Sequence, residues 1–284
     1  MSTRDRFLSK LAQIRHIICV ASGKGGVGKS TTALNLALSL QLSLQESRGK
    51  VGLLDADIYG PSQPLMLGVS KGTRPRIVDK KFMEPVRAHG LQCNSMGFLV
   101  DERTPMVWRA PMIIAAFNQM LNDTLWGELE YLVVDMPPGT GDIQLSLAQN
   151  VKLSGALIVT TPQDVALLDA RKGIEMFRKV DVPILGIVEN MSLHVCSQCG
   201  HQEAIFGSGG AGNLAGEYGV EVLAALPLDL LIRQRTDEGN PVVVADPQHP
   251  ASQAYLELAR RVRERVGALA QKSAPAPVIT VSDD

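Results

Sequence analysis

Six short apolar runs, spaced along the chain and separated by helical stretches, constrain the fold more than any other feature. They are "HIICVA" (16–21), "KVGLLD" (50–55), "YLVVDM" (131–136), "GALIVTT" (155–161), "PILGIVEN" (183–190) and "VEVLAALP" (220–227). Most run continuously, without the alternation of a half-solvated strand, as expected for strands covered on both faces in a mainly parallel sheet. Between them, "KSTTALNLALSLQL" (29–42) and "DVALLDARKGIEMFRKV" (164–180) read as helices. A last helix, about 251–271, places Tyr255, Ala259, Val262, Val266 and Leu269 on one face, with Arg260, Arg261, Arg263 and Arg265 on an expected solvated face. This order predicts an α/β fold: a doubly wound, mainly parallel sheet with helices on both faces.

A chain of 284 residues, 45% hydrophobic and 20% charged, is ordinary for a globular protein of that kind. Its 28 basic and 29 acidic residues nearly cancel, which gives no electrostatic reason to expect nucleic acid or an anionic membrane as main partner. The N-terminus lacks the apolar core of a signal peptide, and no run approaches the roughly 20 apolar residues that span a bilayer. Four cysteines (Cys19, Cys93, Cys196, Cys199) are too few and too unevenly placed for a disulfide scaffold. A cytoplasmic protein is expected. Its predicted organisation is an N-terminal extension (1–13), a nucleotide-binding domain (14–272) and a Pro/Ala-rich, then acidic, disordered tail (273–284).

"SGKGGVGKST" (22–31) follows the first predicted strand and opens the first helix. Gly23, Gly28, Lys29 and Ser30 fit the pattern G-x-x-x-x-G-K-[ST]. In such a loop, spanning Gly23, Lys24, Gly25, Gly26, Val27, Gly28, Lys29, Ser30 and Thr31, glycines let backbone N–H groups turn inward around phosphates at a helix N-terminus. Lys29 would reach the β- and γ-phosphates, and Ser30 would bind Mg²⁺. Acidic residues end two of the strands: Asp55 and Asp57 in "LLDADIYGPS", and Asp135 in "LVVDMPPGTGD". Asp135 falls where a carboxylate holds Mg²⁺ through water, Asp55 is a second magnesium candidate, and "PPGTG" resembles a switch loop that could sense a γ-phosphate. A strand-end Asp alone is as often a helix cap, but three around one phosphate loop point to MgATP.

Lys24 adds like charge to a loop that already holds Lys29, so an anion or a partner should compensate. Here "KGGVGKST" resembles the deviant Walker A loop of the MinD/ParA/nitrogenase-iron-protein class. The resemblance implies that Lys24 reaches the nucleotide of a second subunit, that Asp57 orients or activates the attacking water, and that Asn190 reads the adenine base, with Pro227 beside it.

"VCSQCGHQ" (195–202) brings Cys196 and Cys199 into one loop, flanked by His194 and His201. By itself the pair fits half a zinc site, a redox couple, or a loop without ligand. A homodimer would bring both pairs to one axis and offer four thiolates, which suit a [4Fe–4S] cluster or a single zinc. Cys19 and Cys93 read as inert core thiols.

From about residue 14 to 266, "LLDADIYGPSQPLMLG", "MGFLVDERTPMVWRAPM", "DMPPGTGDIQLSLAQ", "IVENMSLHVCSQCGHQEAIFG" and "PLDLLIRQRTDEGNPVV" follow in the order seen in Mrp/ApbC-type proteins, P-loop ATPases that carry iron–sulfur clusters. The resemblance implies a slow ATPase that bridges a [4Fe–4S] cluster across a homodimer and passes it to apo iron–sulfur proteins, with cluster scaffold proteins as further partners. It favours the cluster at Cys196 and Cys199. Alternatives from other classes are a MinD/ParA-like spatial-organisation ATPase and a zinc-bridged regulatory ATPase. Family members usually have glycine where Ala110 stands, and many carry an additional N-terminal domain.

Overall fold

The computed structural model describes residues 11–45, 49–99, 109–196 and 198–273. The expected extension and tail lie almost wholly outside these residues, as does Trp108 of the "WRAPM" segment.

All six expected strands form. They are β1 (Ile14–Ala21), β2 (Val51–Asp55), β7 (Leu129–Asp135), β8 (Gly155–Thr160), β9 (Ile184–Glu189) and β12 (Val222–Ala225). Two further short strands, β3 (Ile77–Val78) and β4 (Phe82–Met83), make a separate hairpin. β5 (Val86–Ala88) and β6 (Leu91–Ser95) complete an eight-stranded sheet in the order β12-β9-β8-β1-β7-β2-β6-β5. Every neighbouring pair is parallel except β5 with β6. The chain is thus a mainly parallel α/β sheet, as its continuous apolar runs require.

Alternate residues of each central strand feed opposite cores. On one face, Ile18, Val20, Leu53 and Val133 pack with Leu34 and Leu38 of helix α1 (Lys29–Ser43) and with Tyr255, Leu258 and Val262 of the long C-terminal helix, Pro250–Ser273. On the other, Cys19, Leu54, Leu132 and Val134 meet Phe117 of helix Ala110–Asp123 and Ile174 and Phe177 of helix Asp164–Lys179. Among the described residues no helix is long and apolar enough to cross a membrane.

Strand β6 is unexpected, and one expectation needs correction. The segment around Cys93, a buried core thiol as expected, is the fully buried strand β6. The arginines of the last helix do not all face water. Arg261 donates to the carbonyls of Val222 and Leu223, Arg265 donates to Leu185 O, and both reach Glu221. They close over the end strand β12, whose unpaired edge would otherwise invite another strand. Arg260 does remain exposed, paired with Glu257 and Glu264 of its own helix.

Candidate functional site

Parallel pairing puts the C-terminal ends of β1, β2 and β7 side by side, and the loops that leave them meet there. β1 runs into the glycine loop 22–28, whose Gly26 and Gly28 both take φ near +82°, a left-handed conformation suited to glycine. Two glycines are also demanded by packing. A Cβ on Gly23 would stand 2.0 Å from the Asp169 carbonyl oxygen, and one on Gly28 would stand 2.1 Å from Asn190 Nδ2. Asn190 is buried and donates from Nδ2 to the Val27 carbonyl (2.9 Å), so it holds the loop's shape. Ser22 Oγ donates to Lys24 O, and Gly139 N, from the "PPGTG" segment, donates to Ser22 O.

Lys29 opens α1 and is buried, its Nζ 2.5 Å from Asp135 Oδ1 and 3.1 Å from Ser30 Oγ. Lys24, by contrast, is exposed, together with Gly25 and Gly26. Thr31 is half-buried in the first turn of the same helix.

Asp55 and Asp135 are register partners on β2 and β7, and both are wholly buried. Asp55 accepts from Asp57 N, Ser62 N, Gln63 N and Ser95 Oγ. Burial nevertheless pushes its carboxyl up to about 7, with the charge of Asp135 acting the same way against those hydrogen bonds. Asp57 is nearly buried and accepts from Gly60 N. Burial raises its carboxyl too, while the charge of Lys29 pulls it down. The hard oxygens of Ser30, Asp55 and Asp135, gathered beside a buried ammonium, are a donor set that fits Mg²⁺ next to a polyphosphate.

Beside Gly28 and Thr31 lies a cleft of about 230 Å³, walled by Asn190, Met191, Pro227 and Asp229. Asn190 and Pro227 therefore stand together next to the phosphate loop. A larger cleft of about 670 Å³, between Ile14, Ile17, Val151 and Val266, lies at the start of β1 and contains none of these residues.

Cys196 and Cys199 lie apart from this cluster, in a hairpin formed by β10 (His194–Val195) and β11 (Gln202–Glu203). Cys196 N donates to His201 O and Gly200 N to Cys196 O, which closes a tight turn around the pair. Cys196 is half-buried and Cys199 exposed. Backbone N–H groups of Gln198 and Cys199 point at the Cys196 sulfur and hold its thiol below the ordinary range, helped by the Cys199 side chain and His194. His194 Nδ1 sits 3.1 Å from the Leu228 carbonyl, and Leu228 N donates to Leu193 O. The hairpin is thereby tied to the segment that walls the cleft. Among the described residues no three His, Cys, Asp or Glu side chains gather into a metal site. Burial pushes the thiols of Cys19 and Cys93 far up, as inert core positions require.

The sequence reading did not single out Gln63 or Ser95, which bind the buried carboxylates directly. Gln63 follows "YGPS" at once, at the start of the short helix Gln63–Met66, but only the fold brings its side chain to Asp135, 72 residues away.

A family model described as a ParA-type NUBPL iron-transfer P-loop NTPase matches residues 13–263. The chain is 59% identical over 249 residues to an iron–sulfur cluster carrier protein of Pseudomonas fragi, covering 88% of this chain and 85% of that one. A protein of the same name from Haemophilus influenzae is 57% identical over 88% of this chain, which spans only 66% of that relative's length. Among solved structures, a nucleotide-binding protein from Archaeoglobus fulgidus in complex with ADP superposes with a TM-score of 0.75 at 35% identity, covering 90% of this chain and 97% of that one.

Proposed function

Because the chain belongs to the family of NUBPL iron-transfer P-loop NTPases, we propose that it is an ATP-dependent carrier of iron–sulfur clusters, acting as a homodimer in the cytoplasm and passing its cargo to apo-proteins. One observation carries this reading above a plain nucleotide-binding role. The same fold holds both a phosphate loop and a separate surface hairpin whose tight turn brings Cys196 and Cys199 together.

On this reading the N–H groups of the loop 23–31 and Lys29 hold the phosphates. Ser30, Asp55 and Asp135 would hold Mg²⁺, and the ion would supply positive charge to the phosphates. Lys29 exchanges its bond to Asp135 for the phosphate oxygens. Exposed Lys24 is free to reach a second copy's nucleotide, and Asp57 orients the attacking water. Asn190 and Pro227 flank the base in the cleft beside Gly28. Each chain offers Cys196 and Cys199, and two chains together offer the four thiolates of a [4Fe–4S] cargo. A cluster at an exposed hairpin is readily given up, as transfer requires.

Anaerobic reconstitution with iron and sulfide tests the proposal. About four irons per two chains are expected, with a Mössbauer spectrum of a [4Fe–4S] centre and transfer to an apo-acceptor. Stable zinc at one per two chains, with no iron uptake, would overturn it.

A further inference from the structure

Gln63 ties together three parts of the nucleotide face that are remote in sequence. It is 1% exposed, and its Nε2 donates both to Asp135 Oδ2 (2.9 Å) and to Ser30 O (3.0 Å). Its backbone N–H donates to Asp55 Oδ2 (3.1 Å). Both partners of Nε2 are acceptors, so exchanging the amide's oxygen and nitrogen would set oxygen against oxygen; the orientation is fixed. Gln63 Oε1 is then buried without a hydrogen-bond partner. A buried amide oxygen without a donor is rare in folded proteins and marks a place where a donor is due.

The other oxygen of Asp135 is held by Lys29. When Lys29 turns to a phosphate, Asp135 keeps one side-chain donor among those found here, Gln63. We infer that Gln63 is a positioning residue for the metal: its Nε2 fixes the Asp135 carboxylate after Lys29 has left, and its Oε1 accepts a hydrogen bond from a water of the magnesium shell. This rests on the nucleotide part of the reading above and adds to it a residue whose place is outside the phosphate loop and the acidic strand ends. Because the Gln63 main chain is bound to Asp55, the same residue anchors the far end of the turn that carries Asp57.

The test uses the full chain and a fluorescent N-methylanthraniloyl-ADP probe, titrated with Mg²⁺ and, separately, in EDTA. Gln63→Met keeps length and bulk and removes both polar atoms; Gln63→Asn keeps an amide one methylene too short to reach both partners. Each is expected to raise the Mg²⁺ midpoint by about 10-fold or more, as loss of a metal's outer-shell partner does, with affinity in EDTA within about twofold of wild type. An unchanged Mg²⁺ midpoint in either folded variant overturns the inference. So does an equal loss of affinity with and without Mg²⁺, which would mark a structural role only. Wild-type protein that fails to bind the probe would instead sink the nucleotide reading itself.

Discussion

Asp55 and Asp135 stand opposite each other in the register of β2 and β7, two buried carboxylates at adjacent strand ends with one buried lysine between the phosphate loop and Asp135. Such a pair is stable only while a proton or a cation offsets its charge.

The first prediction concerns the proton. Asp55 in the folded chain gives up its proton only near pH 7, whereas an unfolded Asp does so near 4. Between these values the folded state holds more protons, so this group's contribution to stability is complete below about pH 4 and is lost as pH rises through about 7. In nucleotide-free protein, the unfolding free energy from urea titration should fall across that window, by at most about 1.4 kcal/mol per pH unit from this group. Asp55→Asn should flatten the slope. An unaltered slope in the variant would assign it to another residue.

The two lysines of the phosphate loop should separate cleanly. Lys29→Ala leaves Asp135 buried without its cation, and a loss of about 3–5 kcal/mol in stability is expected along with phosphate binding. Lys24 is exposed, so Lys24→Ala should alter stability by no more than about 0.5 kcal/mol. It should spare nucleotide affinity and reduce hydrolysis. Equal loss of affinity in both variants would count against a role for Lys24 at a second subunit.

Asp57→Ala should keep nucleotide affinity while losing turnover, trapping bound ATP in filter-binding and single-turnover assays. Were Asp57 only the acceptor for Gly60 N, the variant would melt earlier and turn over normally at low temperature.

Gly28 has both a left-handed backbone and Asn190 against it. Gly28→Ala should destabilise the chain by about 1–2 kcal/mol from backbone strain alone, and by more from the clash. Calorimetry reads the sum; a change below about 0.5 kcal/mol would mean that the loop relaxes freely.

Thiol chemistry distinguishes the four cysteines. With metal removed, Cys196 and Cys199 should react with a disulfide reagent at neutral pH, Cys196 faster for its favoured thiolate, while Cys19 and Cys93 stay protected until unfolding. Cys196→Ala or Cys199→Ala should abolish iron uptake and leave nucleotide binding intact. Retained uptake in either single variant would show that the pair is not the ligand set.

The sequence made the phosphate loop and its three aspartates legible because each follows an apolar run whose period announces a strand end. It hid β6 because that strand is buried with Gln92, Asn94 and Ser95 inside it. Asn94 satisfies its amide on Thr124, and Ser95 its hydroxyl on Asp55, so polar residues there obey burial without obeying hydropathy. Arg261 and Arg265 misled for the opposite reason: long stems carry their charges back to the carbonyls of the sheet. Gln63 stayed hidden since its partners come from three different elements. The Cys-x-x-Cys pair was visible as a motif, but its hairpin, with two residues in each strand, is too short to leave a period.

That shortness has a further consequence. A ladder of two residue pairs, held to the rest of the chain by backbone bonds at Leu228, breaks by local opening, whereas the central pairs of β1 separate only when the whole sheet does. In amide hydrogen exchange the hairpin should therefore behave as its own unit, opening many times for each global excursion of the strands behind the phosphate loop. On the proposed reading, a cargo at the cysteines would be taken up and surrendered at the tempo of that small unit, with the nucleotide face standing still.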